Sequence, residues 1–393
     1  MNIPSTKSTI LFLVNAPEFF LSHRLPIATA AKKKGYDVHI ATANGDSILE
    51  IESYGLKHHV IPISRSGINP IFELYTLVSI IRLYIKIQPD LVHMVSIKPI
   101  IYGGIAARLL RIRSAVFAIS GLGYVFVDES HKASILRYLV RFLYKFALGQ
   151  RNMSAIFHNF EDRDMFLKFY NNPFGDSSQL TRLKPEKASV IRGSGIDLNK
   201  FSYHQESKNQ KPFIVMVSRL LKEKGILDFI GAARIIKNRG CSANFCIVGD
   251  LDYGNPSSLS ESELSELKNE KIVEFIGYKE NIFDILSSSN IVVLPSYREG
   301  LPKILIEAAA CGRATVTTDV PGCRDAIEPD KTGILVPVRD TTKLADAIEK
   351  LINNPEMRIQ YGKAGRELAE KEFNIETVIQ KHLVLYKNLL SSN

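Results

Sequence analysis

Short runs of apolar, mostly β-branched residues recur along the chain, separated by longer stretches of mixed character. Read as strands, the runs fall at residues 9–14, 37–41, 58–61, 91–95, 115–119, 155–157 and 188–191 in the first half. They resume at residues 213–217, 243–248, 272–276, 291–294, 314–317 and 333–336. Between them apolar positions repeat with helical period, as over residues 26–34, 71–87 and 133–148, and the tail from Thr341 is mostly helical. Strand alternating with helix predicts parallel sheets with helices on both faces. The pattern pauses once, from Gly193 to Pro212, a polar stretch that includes Lys208, Asn209, Gln210 and Lys211 and reads as a linker. The expected organisation is an α/β chain with a Rossmann-like domain over residues 1–195, a linker at 196–211 and a second Rossmann-like domain over 212–375. A C-terminal helix over 376–393 is expected to pack back on the first domain. Ligands of such sheets lie beyond the carboxyl ends of the strands, so the expected site is a cleft between the two domains.

Composition narrows the class. Of 393 residues, 45% are hydrophobic and 23% charged, which excludes a disordered or fibrous chain. The longest apolar stretch, residues 74–87, is broken by Arg82 and Lys86, and a membrane span needs about 20 mostly uncharged residues. The apolar part of the N-terminus is short and lacks a small-residue cleavage site, so it reads as a buried strand. The four cysteines, Cys241, Cys246, Cys311 and Cys323, form no CxxC pair and are expected as reduced thiols in an unexported, cytoplasmic protein. Charge is distributed unevenly. Residues 1–200 hold 25 Lys and Arg against 15 Asp and Glu, a balance of +10, and the remainder contributes −1 to the net +9 of the whole chain. An anionic partner of the first half is expected: a phosphate-bearing substrate, a lipid surface or nucleic acid.

One segment carries most of the chemistry. The apolar run ending at Pro295 is followed by Ser296, Tyr297, Arg298, Glu299, Gly300, Leu301 and Pro302, and a helix begins near Lys303. Proline suits a first helical turn, where its missing N–H is not needed. Gly300 lets backbone approach a ligand, and the free N–H groups of a helix start attract a diphosphate. Glu307, just inside the helix, is placed to accept ribose hydroxyls, and Glu299 to accept hydroxyls of a sugar. Spacing alone is equally compatible with a capping glutamate and a solvated helical one. The order strand, loop, glycine, proline, helix favours the functional reading.

Glu299 and Glu307, seven residues between them and Gly-Leu-Pro after the first, resemble the EX7E motif of family 4 glycosyltransferases of the GT-B fold. A second element agrees. After residues 214–217 come Ser218, Arg219, Leu220, Leu221, Lys222, Glu223, Lys224 and Gly225, and Arg219 and Lys224 match the cation pair that the family places after the first strand of its second domain. The resemblance implies that both hold the donor diphosphate, where fixed cations stabilise the charge that develops on the leaving group. It also implies donor contacts at Gly277, Gly300, Leu301, Pro302 and Lys303, a nucleotide-sugar donor of UDP type, no cofactor and no metal. Asp250-Leu251-Asp252 spells a metal motif of a different glycosyltransferase fold and is read here as loop. Asn255-Pro256-Ser257 is similar to a bacterial subgroup that extends undecaprenyl-diphosphate-linked sugars in capsule, O-antigen or protein-glycan synthesis.

The first half departs from the family pattern. Many members open with a glycine-rich loop after the first strand; this chain has Asn15, Ala16, Pro17, Glu18, Phe19, Phe20, Leu21, Ser22, His23, Arg24, Leu25 and Pro26. The His23-Arg24-x-Pro26 arrangement resembles the same subgroup, and His23 and Arg24 are expected to contact the acceptor's diphosphate or sugar, the alternative being cap and surface roles. No histidine follows residues 115–119, where several relatives carry one; Gly121 and Gly123 are expected to let backbone approach the reacting carbons or to form a tight turn. Lys132, Arg137, Arg141, Lys145 and Arg151 make residues 132–151 a basic stretch, read either as an anionic-membrane contact or as a core helix with a cationic edge. The expected reaction is retaining transfer of a sugar, an N-acetylated hexose, to a polyprenyl-diphosphate-linked saccharide, with Glu299, Arg219 and Lys224 in the catalytic roles. Alternatives are a nucleotide-sugar 2-epimerase of the same fold and a transferase making a soluble glycoside. Nucleic acid is not expected as a partner, because no module motif accompanies the mild basicity.

Overall fold

A computed structural model describes residues 7–64, 69–119, 121, 140, 142–171, 183–206, 211–253 and 255–392. They form two compact units, Met1–Ser194 with Val378–Asn393, and Gly195–Thr377.

The first unit is built on a parallel sheet of seven strands: β1 (Thr9–Leu13), β2 (Asp37–Thr42), β3 (Lys57–Val60), β4 (Leu91–Val95), β5 (Ser114–Ile119), β6 (Met153–Phe157) and β7 (Ala188–Val190), in the order β3-β2-β1-β4-β5-β6-β7. Strands β4, β5 and β6 are buried at every position. That is why they read as mostly apolar runs, with His93, Ser114 and Ser154 as the buried polar exceptions: helices cover both faces of a parallel sheet. Leu11, Leu13, Val92, Met94, Phe117, Phe157 and Phe166 share one core cluster. The last helix, Ile375–Ser391, is fixed to this sheet by specific polar contacts. Asn152 Nδ2 donates to the Leu389 carbonyl at 2.7 Å, and His93 Nδ1 lies 2.6 Å from the Tyr386 hydroxyl.

The second unit repeats the plan with six parallel strands: β8 (Phe213–Val217), β9 (Asn244–Val248), β10 (Glu274–Phe275), β11 (Ile291–Leu294), β12 (Ala314–Thr318) and β13 (Gly333–Val336), ordered β10-β9-β8-β11-β12-β13. Its core joins Ile214, Met216, Val293 and Val316 from the strands to Phe229, Ile230 and Ile348 from the helices. Residues 195–206, part of the stretch expected as linker, belong to this unit. Ile196 N–H donates to the Phe373 carbonyl, Phe201 is buried, and the carbonyl of His204 accepts from the buried Arg313 guanidinium. Glu206 pairs with Arg358, both almost wholly buried.

In both sheets the strand order reverses beside the first strand, between β1 and β4 and between β8 and β11. At such a switch point the loops leave in opposite directions and open a crevice at the strand carboxyl ends.

Candidate functional site

The residues singled out in the second half sit at the carboxyl ends of β8, β9, β10 and β11. After β8 the chain runs through Ser218 and Arg219, makes a 3-10 turn over Lys222–Lys224, and enters the helix Ile226–Asn238 at Gly225. Gly225 has φ +76°, and a Cβ there would collide with the carbonyl oxygen of Pro295 at the end of β11. Only glycine meets both demands, the left-handed backbone and the close approach. The two loops are then stitched together, with Tyr297 N–H donating to the Glu223 carbonyl at 2.9 Å. The loop after β9 joins on the other side. Gly249 has φ +139° and abuts the Ser218 carbonyl, and Leu220 N–H donates to the Asp250 carbonyl at 3.0 Å.

This stitching fixes the charges. Lys224 Nζ lies 2.6 Å from Glu299 Oε1, and Ser296 Oγ donates to the same oxygen at 2.7 Å. Arg219 pairs with Asp252, which also accepts from Asn255 Nδ2 at 3.1 Å. Lys303, in the first turn of the helix Lys303–Ala310, lies 3.5 Å from Glu307. Burial pushes the Glu307 carboxyl above its usual range, and Lys303 and Lys200 pull it back. The neighbouring Ser218 Oγ and Glu223 Oε2 are buried without a hydrogen-bond partner. Tyr297, between the two glutamate loops, is held from outside: its hydroxyl donates to Asp228 at 2.8 Å and the Arg339 guanidinium stacks 4.7 Å over its ring. Leu301 packs on the core, Pro302 is the extended N-cap residue of its helix, and the Gly277 carbonyl, just past β10, accepts from Gly249 N–H at 2.9 Å. The arrangement offers fixed cations, hydrogen-bonded carboxylates and a helix start along one sheet edge, a set that suits a polyanion carrying hydroxyl groups.

Asp252 and Ser296 were not picked out as site residues from the sequence. Asp252 does lie in a loop, as the sequence predicts, but it pairs with Arg219; a carboxylate just past the strand next to β8 is the signal in the sequence. No group of three or more potential metal ligands occurs among the described residues.

The first-unit candidates lie elsewhere. His23 ends the helix Pro17–His23, its ring stacked on Phe19 at 4.2 Å and its Nδ1 2.6 Å from Ser22 Oγ. Arg24 is 1% exposed. Its Nη1 donates to the His23 carbonyl at 3.1 Å, its Nε has no partner, and its charge faces Tyr386, His93, His158 and His382. Desolvation lowers its pKa to about 10 and that of His382 to about 3. His93 and His158 fall well below the usual histidine value, first through burial and then through Arg24. Arg24 thus points into the interior and supports the turn beneath His23. Gly121 stands two positions after the last residue of β5; Gly123, Lys132, Arg137 and Arg141 lie outside the described residues.

Comparison with known proteins decides the class. Residues 9–152 match the model of the family "Glycosyl transferase 4-like", and residues 199–368 that of "Glycosyl transferases group 1". The chain belongs to the family 4-like glycosyltransferases. One relative of this glycosyltransferase is the N,N'-diacetylbacillosaminyl-diphospho-undecaprenol alpha-1,3-N-acetylgalactosaminyltransferase of Campylobacter jejuni, 28% identical over 97% of this chain and 99% of that one. Another is the capsular polysaccharide glycosyltransferase CapM of Staphylococcus aureus, 26% identical over 92% of both chains. A third is the UDP-Gal:alpha-D-GlcNAc-diphosphoundecaprenol alpha-1,3-galactosyltransferase of Escherichia coli, 26% identical over 90% of both. Solved structures confirm the GT-B fold. A Rickettsia africae glycosyltransferase superposes with a TM-score of 0.75 at 17% identity, covering 99% of this chain and 100% of that one. Anabaena HepE, solved with UDP and glucose, does so with 0.75 at 18%, covering 96% and 99%. The glycosyltransferase is a hexosyltransferase by the same evidence.

Proposed function

We propose that this enzyme moves an N-acetylated hexose from a UDP-type donor to a polyprenyl-diphosphate-linked saccharide, with retention at the anomeric carbon, on the cytoplasmic face of a membrane. The carrying observation is the set of paired charges, Arg219–Asp252, Lys224–Glu299 and Lys303–Glu307, gathered where the second sheet reverses its strand order. Relatives matched over nearly their whole length are named for undecaprenyl-diphosphate-linked acceptors, which supports the acceptor class.

In this reading Arg219, Lys224 and the N–H groups at Lys303 hold the donor diphosphate, Glu307 accepts from the ribose, and Gly277, Gly300, Leu301 and Pro302 shape the backbone around it. Glu299 orients the sugar. The bond from the anomeric carbon to the diphosphate oxygen breaks, and the acceptor oxygen bonds on the same face. The acceptor's proton passes to the leaving diphosphate. Cations already fixed by loop contacts need no rearrangement as charge develops, which is where electrostatic catalysis gains most. On the acceptor side His23, Gly121 and Gly123 meet the saccharide, and Arg24 acts from beneath as a positioning residue. The basic stretch around Lys145 and Arg151 faces anionic lipid.

The test is a panel of nucleotide sugars, each incubated with and without a short-chain polyprenyl-diphosphate saccharide and read by mass spectrometry. A gain of one sugar on the acceptor, with an α-linkage by NMR, is expected. An isomerised donor in the acceptor-free arm would assign an epimerase instead, and an inverted linkage would rule out same-face displacement.

A further inference from the structure

Helix Pro70–Ile87 has an unusual outward face. Its start is well defined, with Asn69 Oδ1 accepting from the N–H groups of Ile71 at 3.0 Å and Phe72 at 3.4 Å, and with proline in the first turn. Thr76, Ile80 and Tyr84, four residues apart, fix the buried side. On the opposite side a globular helix ordinarily carries charged and polar residues. Here Ile71 is 81% exposed, Leu74 62%, Tyr75 54% and Ile85 57%. At 100° per residue these four share one arc with the half-buried Val78 and with exposed Arg82 and Lys86. The helix's one acidic residue, Glu73, is turned away: it is 2.6 Å from Lys98 Nζ and nearly buried. The outward face is therefore apolar and cationic, with no carboxylate.

We propose that this face is a docking surface for an anionic phospholipid bilayer, the helix lying in the interface with Ile71, Leu74, Tyr75 and Ile85 in the acyl boundary and Arg82 and Lys86 on the headgroups. Contiguous exposed apolar residues mark an interaction surface. The charge selects lipid as the occupant. A second copy packed face to face would set Arg82 and Lys86 against the same cations with no carboxylate to offset them, whereas anionic headgroups complement both them and the +10 balance of residues 1–200. The biological purpose rests on the lipid-linked acceptor proposed above; the surface chemistry does not.

Flotation of the full chain with phosphatidylglycerol-containing vesicles, against pure phosphatidylcholine, tests it. The wild type is expected to float with the anionic vesicles only. Leu74→Glu/Ile85→Glu should lower partition at least about tenfold, and Arg82→Gln/Lys86→Gln should flatten its salt dependence. Melting temperature and turnover of a water-soluble short-chain acceptor should not change in either variant, since both alter exposed side chains. A double-glutamate variant that partitions like the wild type overturns the proposal. So does a wild-type mass of two chains by light scattering that becomes one chain in that variant, which assigns the face to a second copy. If short-chain turnover is absent from every protein while flotation follows the pattern above, the docking face stands and the acceptor reading falls.

Discussion

The two units carry similar parallel sheets but differ in how they hold particular cations. In the second, the cations Arg219, Lys224 and Lys303 lie beside carboxylates at the strand ends, and the buried Arg358 is matched by Glu206 and by the carbonyls of Leu351 and Ile352. In the first, the buried Arg24 faces neutral histidines and a tyrosine, and the outward face of the helix Pro70–Ile87 is apolar with the exposed cations Arg82 and Lys86. A site that binds and releases a polyanion is well served by cations already ordered by local carboxylates. A buried charge left without a carboxylate, as at Arg24, costs stability. The difference separates a second unit whose strand-end cations are already ordered by carboxylates from a first unit that buries Arg24 among uncharged rings and shows Arg82 and Lys86 to solvent.

The contrast can be broken at several points. The largest effect is expected at Glu299, whose loss removes both the proposed sugar-orienting group and the Lys224 contact. Glu299→Gln should lower turnover by about 10²–10³-fold, while calorimetric affinity for UDP changes by less than about tenfold. Next come the buried guanidiniums. Arg358→Met strands Glu206 and should cost about 3–5 kcal/mol in urea unfolding. Arg24→Met removes an uncompensated charge and should stabilise by about 1 kcal/mol or more, with the change in activity confined to the acceptor KM. Gly225→Ala, which forces a Cβ into left-handed backbone against the Pro295 carbonyl, should cost about 2–3 kcal/mol and show as a lowered melting temperature.

The most gradual effect, spread over several pH units, is acid lability. His93, His158 and His382 titrate lower in the folded chain than unfolded, so their stabilising share is intact above the unfolded value of about 6.5 and is lost as pH falls below it. His382, with its folded value of about 3, should contribute a slope of about 1.4 kcal/mol per pH unit between those limits. Unfolding midpoints from pH 7 to 4 measure it. His382→Leu should remove that share of the slope.

Much of this was legible in the sequence, for identifiable reasons. Strands such as Leu91–Val95, Phe213–Val217 and Ile291–Leu294 begin and end where the apolar runs do, because strands covered on both faces admit little polar interruption. Glu274–Phe275 is shorter than its apolar run, as an edge strand can be. The helix Pro17–His23 gives no periodic signal, because it spans only seven residues and opens on proline. The donor residues were recognisable one by one, but the Lys224–Glu299 contact spans 75 positions and needs the reversal of strand order to form. Arg24 departs from its expected contact for a physical reason: charge alone suggests solvent, but distant parts of the chain, His93, His158, His382 and Tyr386, gather around it. The exposed face of the helix Pro70–Ile87 was invisible because its other faces are just as apolar, so period alone could not say which side would be covered.

The central claim is that Arg219 and Lys224 together hold the donor diphosphate at the carboxyl end of β8. Isothermal titration of UDP into the wild type and into Arg219→Ala/Lys224→Ala, both checked for an unchanged melting profile, tests it most directly. The account predicts that the double variant binds at least about a hundredfold more weakly. Equal affinity in the two proteins would contradict it.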